Sequence, residues 1–226
     1  MNILDLQNNY RKIVETIPST VTLVAVSKYQ PSEAVEVLYR LGQRVFGESH
    51  VQELTKKHEL LPQDIQWHFI GHLQTNKVKY IAPYITMVES VDSIRLIEEI
   101  NKQALKCNRI IDILLELHIA QEETKYGLTP EECRELLQSD SFRSCQNVRV
   151  RGLMTIASNV DDDQQVQREF QLASDTFNAI KTEFFQDKPW FDCCSWGMSS
   201  DYPLAIAHGS NMVRVGTSIF GERQYK

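Results

Sequence analysis

The chain has 226 residues, of which 42% are hydrophobic, 24% charged and 9% aromatic, the make-up of a globular protein and not of a disordered one. Twenty-four Lys and Arg against 30 Asp and Glu leave a net charge of −6, so nothing electrostatic draws the chain to nucleic acid or anionic lipid. No apolar run approaches the roughly 18 residues of a membrane helix, and the polar start reads as neither signal nor transit peptide.

Residues 1–16 place Ile3, Leu6, Tyr10, Ile13 and Val14 near helical spacing, and Pro18 ends the run. Residues 21–27 (VTLVAVS) form a β-branched apolar stretch of strand length. Pro31 and Ser32 open a helix that Gly42 closes. A short strand over 44–46, a helix over 48–59, a strand over 66–70 and a helix over 73–81 follow. The second half repeats the theme, with strands over 86–89, 109–119, 148–156, 191–195 and 212–215. Between them lie helices over 93–105, 130–138, 164–185 and 201–208. Thr129 caps the helix at Pro130, with acids in its first turn as the helix dipole prefers.

Eight strands alternating with helices imply a parallel sheet covered by helices. No G-x-G-x-x-G follows a strand, which removes the usual dinucleotide form of the open sheet. The length is of the order a closed barrel needs. The predicted fold is therefore α/β: a single-domain (β/α)8 TIM barrel over residues 1–226, with an extra N-terminal helix. Five cysteines, Cys107, Cys133, Cys145, Cys193 and Cys194, show neither C-x-x-C nor zinc spacing, which predicts reduced thiols and a cytoplasmic protein.

In a barrel, functional groups collect where strands run into helices. Lys28 ends the first strand in phase with Val26, Val24 and Thr22. It either snorkels to solvent or is an amine held in a pocket, where desolvation makes it a Schiff-base former. The last two strand ends, GMSSD (197–201) and VRVGTS (213–218), supply Ser199, Ser200, Gly216 and Thr217. Each hydroxyl alone is an ordinary cap, but two adjacent loops of this kind make a phosphate cup. Arg214 lies inside an apolar strand, either paired with a carboxylate such as Glu116 or facing a ring or anion over the barrel mouth. An amine, a phosphate cup and an arginine together describe pyridoxal 5′-phosphate. His68 and His72 are four apart at a strand end without H-E-x-x-H, which is not a zinc pattern. Cys193 and Cys194 face opposite sides of a strand, and Trp67, Trp190 and Trp196 read as core or rim aromatics.

The blocks VAVSK, FGES with VQE, WHFIGHLQTNK, SVDS, KYGL, RGLMTIA, GMSSD and VRVGTSIFG stand in the order found in the pyridoxal phosphate homeostasis proteins, the YggS/PROSC family. The sequence resembles that family over residues 20–222. The resemblance implies a fold-type III barrel like the N-terminal domain of alanine racemase. It implies Lys28 as the cofactor lysine, Arg214 facing the pyridine nitrogen, and Ser199, Ser200, Gly216 and Thr217 as the phosphate cup. Ser49, His72 and Met198 complete the expected cofactor-binding set. His72, Asn76 and Lys77 match a family motif whose chemistry the sequence does not reveal. The family usually has Asn where Ser49 stands, and often Asn where His118 stands.

Two functions compete: a protein that holds and delivers pyridoxal phosphate in cofactor and amino-acid homeostasis, and a racemase-type enzyme. A racemase needs a proton donor or acceptor on each face of the substrate carbon. Lys28 serves one face, and Tyr202, His72 or His118 on a neighbouring loop are the candidates for the other. A fixed cation near the ring nitrogen also weakens the electron sink. The carrier is the expected function, with apo-enzymes as recipients, no metal, and a monomeric state.

Overall fold

The computed structural model describes residues 2–119 and 126–222; Lys125, which opens the KYGL block, lies outside them. Eight parallel strands run β1 Thr22–Val26, β2 Val45–Glu48, β3 Gln66–Phe69, β4 Met87–Val91, β5 Ile111–Leu117, β6 Val148–Thr155, β7 Cys193–Ser195 and β8 Met212–Val215. They pair in chain order and close, β8 against β1. The predicted barrel is the observed fold.

Helices α1 Ile3–Thr16, α2 Ser32–Arg40, α3 Val51–Leu60, α4 Val78–Ile81, α5 Ile94–Lys106, α6 Pro130–Gln138, α7 Asp140–Ser144, α8 Asp163–Phe184, α9 Tyr202–Ala207 and α10 Thr217–Phe220 surround it. The extra helix α1 packs on α2 and α10, burying Leu6, Tyr10 and Ile13. The Thr129 hydroxyl accepts the Glu132 N–H, the cap that the sequence indicated, and the Glu132 carboxylate accepts the Thr129 N–H in return.

Two expected helices differ in their extent. Glu48 ends β2 and does not start a helix; α3 begins three residues later. The helix expected over 73–81 divides into a 3-10 turn at Thr75–Lys77 and the short α4. Two short helices, α7 and α10, are additional to the expected elements; four or five residues are too few to show a period.

Strand alternation sorts side chains into layers. Outward residues such as Ala25, Phe46, Phe69, Leu115 and Val213 join the large core beneath the helices. Inward residues Val24, Met87, Leu114, Met154, Cys193 and Met212 form a small apolar cluster inside the barrel. Cys193 and Cys194 thus part to opposite faces, as expected. At the strand starts, Asp112 pairs with Arg149 (2.6 Å) and Arg151 (2.9 Å), and Arg151 with Asp192 (2.8 Å). These charges lie at the strand starts from β5 to β7, and the apolar cluster separates them from the mouth.

The register between β5 and β6 shifts after Ile113, which faces Val150 while Leu114 faces Gly152. The extra residue is Arg151, and the bulge lets its side chain turn into these ion pairs. Gly152 (φ 157°) is required there, since a Cβ would stand 1.8 Å from the Cys193 carbonyl oxygen. Gly152→Ala should destabilise the fold by about 3 kcal/mol or more, the upper end of overpacking costs. Equilibrium denaturation measures this, and a loss below about 0.5 kcal/mol, the scale of neutral surface changes, would contradict the bulge argument.

Candidate functional site

At the mouth lies a cavity of about 490 Å³, lined by Lys28 and Gln30 from the end of β1, Arg214 from β8, and Met198, Ser199, Ser200, Gly216, Thr217 and Ser218 from the last two turns. Val26, Ile70, Ile156 and Phe220 supply apolar walls. The size and the mix of apolar wall with few polar groups suit a small-molecule site.

Lys28 reaches this wall because alternation carries the phase of the interior Val24 through Val26 to position 28. The preceding Ser27 faces outward and is fully buried.

Arg214 follows the same logic, two residues after the interior Met212. It is 4% exposed. One amino group donates to the Ser195 carbonyl (2.7 Å) and hydroxyl (2.5 Å), the other to the Thr155 carbonyl (2.7 Å). Its nearest carboxylate is Glu89, 3.7 Å away, and not the Glu116 that the sequence offered. Glu89 is tied to His68 Nδ1 (2.6 Å) and accepts the Ser195 hydroxyl (2.6 Å). Burial pushes the Glu89 pKa up, but the hydrogen bond and charge of His68, then Arg214 and Ser195, outweigh it and hold the carboxyl below its usual range. His68 is therefore a partner of a buried carboxylate. Burial and the Asp92 carboxylate push Glu116 up to about 7, against the pull of Arg214.

The turn Gly197–Asp201 is tight. The Asp201 carboxylate accepts the Met198 N–H (2.5 Å), and the Met198 carbonyl accepts the Tyr202 N–H (2.9 Å). Gly197 has φ 94°, and a Cβ there would stand 2.5 Å from the Ala205 Cβ. The turn delivers Ser199 to the end of β8, where its hydroxyl oxygen accepts the N–H groups of Gly216 (3.1 Å) and Ser218 (3.3 Å). Two backbone donors converging on one oxygen form an anion-binding nest. Ser218 was not among the expected residues; it stands beside Thr217 in the same block, and only its backbone reveals its role.

Of the nine expected residues, Lys28, Met198, Ser199, Ser200, Arg214, Gly216 and Thr217 line one cavity. Ser49 and His72 line a second one of about 380 Å³ with His50, Gln52, Gln74 and Lys77. There the Ser49 hydroxyl meets His50 Nδ1 (3.1 Å), and His72 stacks on Tyr126 (4.6 Å between centroids) 3.7 Å from Asp92. The departure at Ser49 therefore bears on that neighbouring cavity.

With this geometry established, the comparisons are specific. The family model described as the alanine racemase N-terminal domain matches residues 2–224. A pyridoxal phosphate homeostasis protein of Aquifex aeolicus is 40% identical over 204 residues, 90% of this chain and 87% of that one. The chain belongs to the pyridoxal phosphate homeostasis protein family. A second member, from Schizosaccharomyces pombe, is 39% identical over 90% of this chain and 84% of its own. PipY of Synechococcus elongatus, solved with PLP bound, superposes with a TM-score of 0.86 at 32% identity, covering 96% of this chain and 100% of that one. Alanine racemase from E. faecalis shares the fold, with a TM-score of 0.73 at 15% identity, and this chain covers 59% of it.

The raised Glu116 pKa has a stability consequence. A carboxyl that titrates at about 7 when folded and about 4.5 when unfolded is held protonated in the fold. The folded state therefore binds the extra proton between those values, and stability falls as pH rises through that window. Glu116→Gln should leave stability near pH 4 almost unchanged and raise it near pH 8, by on the order of 3 kcal/mol. Denaturation at both pH values tests this; a difference that does not grow with pH would contradict it.

Proposed function

We propose that the mouth cavity holds pyridoxal 5′-phosphate, with Lys28 supplying the amine, and that the protein stores and delivers the cofactor without turnover. The observation that carries the reading is the convergence of an amine, a buried guanidinium and a two-donor nest on one cavity. When bound, the cofactor supplies an aldehyde that condenses reversibly with an amine, releasing water. Ser199, Ser200 and Thr217 bind the phosphate, with the N–H groups of Gly216 and Ser218 turning from the Ser199 hydroxyl to the anion. Arg214, held by two carbonyls, would present a fixed positive charge to the pyridine nitrogen. Ile70, Ile156 and Phe220 exclude water from its faces.

Two features support storage over turnover. A fixed cation at the ring resists nitrogen protonation and so weakens carbanion stabilisation. Two of the three candidates for the second face are otherwise engaged: the Tyr202 hydroxyl meets the Thr16 hydroxyl (2.8 Å), and His72 stacks on Tyr126 over the second cavity. Apo-enzymes that need the cofactor are the proposed recipients. The racemase-type reading rests on the fold shared with alanine racemase and is separated by experiment.

Borohydride reduction followed by peptide mass spectrometry should place the adduct on Lys28; an adduct on Lys77 or Lys79 contradicts the assignment. Ser200→Ala and Thr217→Val should each weaken pyridoxal 5′-phosphate binding about ten- to a hundredfold, the worth of a charge-assisted hydrogen bond, and hardly affect pyridoxal. Equal weakening of both would put the phosphate elsewhere. Amino acids incubated with the loaded protein in deuterium oxide should show no multiple-turnover loss of the α-hydrogen signal. Sustained exchange that vanishes in Lys28→Ala would make the protein an enzyme.

A further inference from the structure

Lys57 on α3 is 3% exposed, although lysine is seldom buried without a purpose. Its ammonium donates to three oxygens at 2.7 Å each: the Ser27 carbonyl, Glu48 Oε1 and Glu53 Oε1. Glu48 Oε1 also accepts the Ser27 hydroxyl (2.6 Å), and Glu53 Oε1 also accepts the backbone N–H of Tyr29 (2.7 Å). None of these four side chains lines the mouth cavity. Ser27 and Glu48 point outward, beneath the helices, on the opposite side of the strands from Lys28.

The positions of the two backbone contacts are informative. The Ser27 carbonyl belongs to the peptide group before Lys28, and the Tyr29 N–H to the one after it. The Lys57–Glu53 pair thus holds both peptide groups that flank the Lys28 Cα. Tyr29 itself has φ 64°, a left-handed conformation that costs a residue with a side chain roughly 1–2 kcal/mol. The chain leaves β1 through this turn only with something to hold it, and the Glu53 contact is at the strained residue.

A purely stabilising role does not account for the cluster. Burying an ion pair is often no better for stability than packing apolar side chains of similar volume, whereas it does impose one geometry. We propose that Lys57 and Glu53, braced by Glu48, are positioning residues that aim the Lys28 amine into the cavity from outside the barrel wall. The inference rests on Lys28 being the cofactor amine.

The test uses the full chain and two ligands. Pyridoxal 5′-phosphate reports condensation with Lys28, followed by stopped-flow absorbance. Pyridoxine 5′-phosphate carries an alcohol in place of the aldehyde, so it reports the phosphate and ring contacts alone. Lys57→Met and Glu53→Ala should slow condensation at least about tenfold, since misplacing a reacting group by about 1 Å can cost about a hundredfold. Both should bind pyridoxine 5′-phosphate within about twofold of the parent, because the nest shares no partner with the cluster. Glu53→Gln keeps an acceptor for the Tyr29 N–H and should recover most of the rate. The Glu53 side chain is 23% exposed, so its variants keep the test alive where Lys57→Met fails to fold. Unchanged condensation in a folded Glu53→Ala overturns the inference, as does a parallel loss of pyridoxine 5′-phosphate affinity. Lack of condensation in the parent protein would instead overturn the reading of Lys28 itself.

Discussion

Pairing of β8 with β1 is the constraint on which the site depends. Val24 stands opposite Arg214 and Ala25 opposite Val215 in that ladder, so the first and last strands of the chain share a register. Closure places the turn that carries Lys28 beside the turn that carries Gly216, Thr217 and Ser218, although nearly the whole chain separates them. A parallel barrel leaves no edge at this seam. An open sheet with the same elements would leave the amine and the nest on its two far edges.

The layering inside the barrel explains how a guanidinium is tolerated within it. The middle layer is apolar, so Arg214 sits between an apolar plug and the cavity. Its donors are met by carbonyls of Ser195 and Thr155 and its charge by Glu89, which His68 and Ser195 hold in turn. Removing one member would leave buried polar groups without partners, at about 1–3 kcal/mol each and more for a charge. The network fixes the guanidinium at the cavity base, the feature on which the proposed carrier reading relies.

Much of this was legible from residue pattern. Strands such as Thr22–Val26 are β-branched apolar runs, and two-residue alternation led from Val24 to Lys28 and from Met212 to Arg214. Partners contributed by distant strands were not legible: Glu89 as the carboxylate nearest Arg214 follows from barrel curvature, which sequence spacing does not encode. Glu48 reads as a first-turn helix acid because a charged residue after Gly47 has no apparent place in a strand; its place exists only because Lys57 arrives from α3. Ser49 and His72 lie at strand ends as expected, yet the strand-end rule does not say which cavity each borders. The nest was half visible, since hydroxyls show in a sequence and converging N–H groups do not.

The central claim is that one cavity receives the aldehyde at Lys28 and the phosphate at the last two turns. A crystal structure of the chain grown with pyridoxal 5′-phosphate measures this directly. Density should run without a break from Lys28 Nζ into the ring, with Arg214 facing its nitrogen and the phosphate against Ser199 and the N–H groups of Gly216 and Ser218. Phosphate density in the cavity of Ser49 and His72, or a covalent link to any other lysine, would contradict the account.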